Sequence, residues 1–165
     1  MIQEVKNIIH KYPITFFITT LCICSLFFDF AFDIKFNITK QPNLINSLLY
    51  IFAHANIFHL ILNLWALWSF RPRLKTCIVA YIISLIVPLF PFIHMAQPTC
   101  GLSGFILACF ARKYRSHRIN PTRLILINLL FIPFPMFNWR IHLATFFLAY
   151  AYYAVEELFY KSNTK

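Results

Sequence analysis

Apolar runs of membrane-spanning length take up almost the whole chain, and the basic residues sit mostly in short stretches between them or at their ends. A helix needs about 20 mostly apolar residues to cross the hydrocarbon core of a bilayer. Six stretches approach that length, at about 13–32, 48–70, 76–95, 101–115, 122–138 and 140–160. The fourth and fifth are short, and Pro133 and Pro135 are set to kink or stop the fifth. No soluble domain, long linker or repeat is left over, so residues 1–165 read as a single membrane domain. Backbone groups inside a bilayer must bond to one another, which for runs of this length means helices. The expected fold class is an all-α membrane protein, a bundle of six transmembrane helices. Only 12% of residues are charged, about half the share of a soluble domain.

The charges also set an orientation. With the N-terminus inside, the inner segments hold Lys6, Lys11, Arg71, Arg73, Lys75, the basic residues between Arg112 and Arg123, Lys161 and Lys165. The outer segments hold only Lys35, Lys40 and Arg140. By the excess of Lys and Arg in cytoplasmic loops, both termini are expected inside, and the lack of extra domains leads to the expectation of a prokaryotic plasma membrane. Basic proteins that bind nucleic acid expose polar, basic faces, which this pattern lacks, so nucleic acid is not expected as a partner. The first run lacks a cleavage site of the A-x-A kind and reads as a retained span. Five cysteines, mostly within apolar runs and without zinc-finger spacing, read as small buried residues. No metal site is expected: His54 and His59 are five apart, on different helix faces, and no H-E-x-x-H pattern occurs.

Polar groups in a membrane are costly, so each one in a span needs a reason. The chain has two glycines, and they enclose one serine: Gly101, Leu102, Ser103, Gly104. His59 and Asn63 share one helical face in the second run. His142 opens the last. In the six-span topology all these groups fall in the outer half of the membrane. His59 and Asn63 either glue helices together or act as hydrogen-bond donors to something that enters. Gly101, Gly104, Ala108 and Ala111 form a small-residue stripe, and His142, Thr145 and Ala149 offer a matching one. If these stripes meet, Ser103 meets His142. A hydroxyl beside an imidazole is how a serine is activated for attack. The oxyanion that forms needs donors, which His59, Asn63 and free amides near Ser103 can supply. No acidic third member is evident, so the expected arrangement is a dyad.

"HANIFHLILN", "GLSG" and a later "HLA" resemble, in order and position, the rhomboid intramembrane serine proteases. The resemblance covers most of the chain as a six-span core. It implies Ser103 as nucleophile, His142 as base, and an oxyanion hole from His59, Asn63 and the amide of Ser103. His54 matches a supporting position. It also implies cleavage of single-pass membrane proteins near or within their spans, inside a lipid bilayer, without metal, nucleotide or other cofactor. The residues specify neither the substrate's identity nor an oligomeric state.

Some positions depart from the family pattern. The loop at about 33–47 is short and lacks the Trp-Arg pair of many members. Leu107 stands where some bacterial members have an aromatic residue against the histidine. Thr145 and Ala149 replace glycines, from which a looser approach of the last helix to the fourth is expected. Two alternative functions are consistent with the same resemblance. One is a silent rhomboid-like protein that binds membrane helices; the other is a rhombosortase-like enzyme that trims C-terminal anchors.

Overall fold

The computed structural model describes residues 2–32, 44–90, 93, 99–117, 122, 125–126 and 138–162. Among them the protein is built from helices. We number these α1 (Ile2–Lys11), α2 (Pro13–Phe32), α3 (Leu44–Leu49), α4 (Ile57–Phe70), α5 (Leu74–Ile86), α6 (Ser103–Ser116) and α7 (Trp139–Ser162), with a 3₁₀ turn at Val87–Leu89 after α5. The fifth expected span, 122–138, lies almost wholly outside the described residues, as do residues 33–43 of the short loop.

α2 matches the first expected span, and Pro13–Ala31 is long and apolar enough to cross a membrane by itself. Tyr12 N donates to Ile8 O (2.9 Å) and Phe16 N to Tyr12 O (3.0 Å), so helical bonding runs on from α1 into α2. Pro13 lacks an N–H and interrupts it at one point.

The second expected span, 48–70, is not one helix. The chain leaves helical geometry after α3 and re-enters it at Ile57, where the Asn56 side chain accepts the His59 N–H at 2.9 Å. Asparagine in this role starts a helix because it satisfies a donor that has no partner within the helix. α4 and α6 have 14 residues each, which is about 21 Å and less than the ~30 Å of a hydrocarbon core. α4 ends at Arg71, whose φ of 48° is left-handed, and Pro72 prevents continuation. The Arg71 guanidinium donates to the Tyr12 hydroxyl (2.7 Å) and to Trp68 O (3.0 Å), which fastens the end of α4 to the start of α2.

α6 and α7 pack most closely and run parallel. Ser103 and His142 meet at their N-terminal ends, and Arg115 pairs with Glu157 at 3.0 Å near the other. Lys75, at the start of α5, pairs with Glu156 at 2.5 Å, so α5 runs the opposite way. Ala108, Ala111, Ala149 and Phe146 are fully buried along the α6–α7 seam. The outer surface is apolar on several helices: Phe17, Phe27, Trp65, Ile82, Phe147 and Leu158 are all exposed. Of the five cysteines, Cys22, Cys77 and Cys109 are buried, Cys100 is half-buried, and Cys24 faces outward.

Candidate active site

Ser103 is the first residue of α6 and His142 the fourth of α7. The two parallel helices bring them together, with Ser103 Oγ 2.7 Å from His142 Nε2. Among the described residues, the only side-chain hydrogen bond to the His142 ring is this one. The seam that sets the distance is tight. A Cβ added to Gly104 would lie 3.4 Å from Thr145 Oγ1 and 3.6 Å from Ile141 Cγ2. The looser approach expected from Thr145 and Ala149 is not found. Thr145 turns its hydroxyl back onto the carbonyl of Ile141 in its own helix, and both residues are completely buried. A threonine that satisfies its own polar group can stand in a seam built for small residues.

Gly101 corrects a second expectation. It precedes α6 and is not part of the small-residue seam. Its φ is +122°, a conformation that L side chains rarely adopt. The space its side chain would take is already filled. A Cβ there would come 2.5 Å from Cε1 and 2.8 Å from Nε2 of His59. The missing side chain therefore makes room for the His59 ring. The Gly101 N–H donates to Tyr50 O at 3.0 Å, and the Tyr50 hydroxyl donates to Ser84 O at 2.5 Å, which hangs this turn from α5.

His59 and Asn63 are one turn apart at the N-terminal end of α4. Asn63 Nδ2 is buried, has no hydrogen-bond partner among the described residues, and lies 3.7 Å from the Gly101 Cβ position. An amide donor left unsatisfied in a buried place costs about 1–3 kcal/mol, so its persistence wants a reason. His54 is buried beside His59, with ring centroids 5.0 Å apart and near edge-to-face. Its Nδ1 donates to Phe52 O at 2.9 Å, so it braces the His59 ring from a fixed position. The first N–H groups of α6 have no side-chain cap, which leaves them free to donate.

Ser103, His142, His59, Asn63 and Gly101 all line one cavity of about 370 Å³. Phe58, Leu62 and Phe105 add apolar walls. Its size suits an extended piece of peptide or a small ligand. The same cavity is lined by Asn138, which the sequence reading passed over. An Asn four residues before a histidine at the head of an apolar run is a helix-start signal that could have marked it. Among the described residues, no three His, Cys, Asp or Glu side chains gather to hold a metal.

A search among curated proteins found no match. A family model, the Rhomboid domain, matches residues 41–155. That stretch runs from the approach to α3 through most of α7 and contains every residue of the cavity named above. The protein is thus a helical membrane protein, and the chain belongs to the rhomboid family.

Proposed function

We propose that this protein is an intramembrane serine endopeptidase that cleaves single-pass membrane proteins near or within their transmembrane segments. The observation that carries the reading is the 2.7 Å contact of Ser103 Oγ with His142 Nε2, in a cavity that also holds a buried Asn63 donor without a partner among the described residues. The site is read within a single domain of six spans with both termini cytoplasmic, in the outer half of a plasma membrane. The parallel run of α6 and α7 supports this topology, because the chain leaves α6 at the basic end and must come back to the site end before α7 begins.

In the proposed mechanism a substrate segment unwinds and lies extended in the cavity, since a helical amide is hydrogen-bonded and shielded. Ser103 attacks the carbonyl carbon as His142 takes its proton, and a tetrahedral oxyanion forms. His59, Asn63 Nδ2 and the amide of Ser103 donate to that oxyanion. The tetrahedral intermediate collapses, the C–N bond breaks, and His142 returns the proton to the departing amine. Water, deprotonated by His142, then attacks the acyl-enzyme and frees Ser103. The non-helical backbone before α4 and α6 supports water access, because such backbone is tolerated at membrane depth only when it is buried in protein or lines a wet cavity.

A fluorophosphonate probe on detergent-purified protein tests this reading. Wild type is expected to label, Ser103→Ala not at all, and His142→Ala at a small fraction of the wild-type rate. Removal of the nucleophile is expected to slow cleavage of a membrane-embedded substrate by about 10⁴-fold or more. Labelling that persists in Ser103→Ala sinks the assignment of Ser103, and an unlabelled wild type sinks the proposal in favour of a helix-binding protein.

A further inference from the structure

Asn138 joins the two halves of the candidate site. It stands immediately before α7, and its side-chain oxygen accepts the Ile141 N–H at 3.3 Å. Its backbone carbonyl accepts the His142 N–H at 3.3 Å. With the oxygen committed to the cap, the amide nitrogen points the other way and donates to Thr99 Oγ1 at 3.4 Å. Thr99 lies two residues before Gly101, the turn that seats His59 and leads directly into Ser103. One side chain thus holds the first turn of the helix that carries His142 against the segment that delivers Ser103.

We propose that Asn138 is a positioning residue for the dyad, acting through its bond to Thr99. This rests on the protease reading above. The cap fixes where α7 begins and therefore the height of His142. The Thr99 bond fixes how closely that first turn approaches the Gly101 turn. The α6–α7 seam sets the separation further along, at Gly104 and Thr145. A dyad contact depends on tenths of an ångström, and a misplacement of about 1 Å can cost about a hundredfold in rate.

The two roles separate by substitution. Asn138→Ser keeps a capping oxygen and is too short to reach Thr99. Thr99→Val keeps shape and removes the partner. Asn138→Asp keeps the cap and can accept a hydrogen bond from the Thr99 hydroxyl. Asn138→Ser and Thr99→Val are each expected to slow Ser103-dependent fluorophosphonate labelling about tenfold, and the double variant no further. Asn138→Asp is expected to retain most of the rate, and to lose it when combined with Thr99→Val. Effects that multiply in the double variant, or that are absent in both singles, overturn the proposal.

A second readout needs no turnover. The ring ¹⁵N resonances of His142, identified by their loss in His142→Ala, are expected to move on Ser103→Ala in the otherwise unaltered protein. In the Asn138→Ser background that movement is expected to fall below half. A purely structural cap would lower the unfolding temperature and leave the movement intact, which also overturns the proposal. An unlabelled wild type with the expected resonance behaviour sinks the protease reading alone and leaves the Asn138 tie standing.

Discussion

The His59 ring occupies the space that a side chain at Gly101 would fill, with Cε1 2.5 Å and Nε2 2.8 Å from the absent Cβ. Neither residue can hold its place if the other grows. Gly101→Ala meets two penalties together. Its φ of +122° is strained for alanine, and a backbone strain of this kind costs on the order of 1–3 kcal/mol. The new methyl also drives into the imidazole. We expect Gly101→Ala to displace His59 and slow labelling or cleavage by about 10²–10³-fold, the loss of one oxyanion donor. Rates close to wild type would show that His59 is not a donor to the reaction.

Asn63 should display the opposite balance of activity and stability. Its Nδ2 is buried without a partner among the described residues, so the folded protein carries a cost that an apolar side chain would relieve. Asn63→Leu is expected to raise the thermal unfolding temperature in detergent, or leave it unchanged, while it slows turnover by about 10²–10³-fold. A gain in stability with loss of activity is the mark of a residue kept for function. A stability loss with turnover unchanged would make Asn63 a packing residue.

The contrast between Gly101 and Gly104 shows how much of this site was legible in the sequence. Spacing put Gly104, Ala108 and Ala111 on one helical face and His142, Thr145 and Ala149 on another, because helical period decides which residues share a face; that the two faces meet was only a condition. Spacing also put His59 and Asn63 on one side of a helix. That Gly101 leaves space near the nucleophile was legible, but not that the His59 ring fills that space, since His59 is distant in sequence and no periodicity links the two. The start of α4 was missed for a related reason. Apolar residues dominate 48–70 from end to end, and hydropathy does not register the Asn56 cap that restarts the helix at Ile57. Asn138 was passed over because a cap, and a tie from it to the segment before α6, leave no apolar pattern.

The seam between α6 and α7 gives a graded test of how packing sets the dyad. A Cβ on Gly104 would sit 3.4 Å from Thr145 Oγ1, which is close but not a clash. Gly104→Ala is therefore expected to fold and to keep activity within about tenfold of wild type. Gly104→Val adds two further methyls against Ile141 and Thr145, where overpacking costs about 1–3 kcal/mol. It is expected to part Ser103 from His142 and abolish labelling. Thr145→Gly in the Gly104→Val background should restore part of the rate by reopening the seam. Full activity in Gly104→Val would mean that the helices can separate without moving the dyad.

Depth and orientation can be tested together with two cysteines in a background free of the five native ones. Ser116 is exposed at the basic end of α6, and Ala55 is exposed at the mouth of the cavity. In the proposed topology Ser116→Cys faces the cytoplasm. A membrane-impermeant maleimide added to intact cells should leave it unlabelled and react only after permeabilisation. Ala55→Cys should react from outside without permeabilisation, because hydrolysis of an acyl-enzyme requires water at that depth. The background is usable if it keeps Ser103-dependent fluorophosphonate labelling. Reaction of residue 116 from outside would overturn the orientation and place the site on the opposite half of the bilayer. A residue 55 that stays unreactive in the folded protein would mean a dry cavity, in which a serine could be acylated but never released.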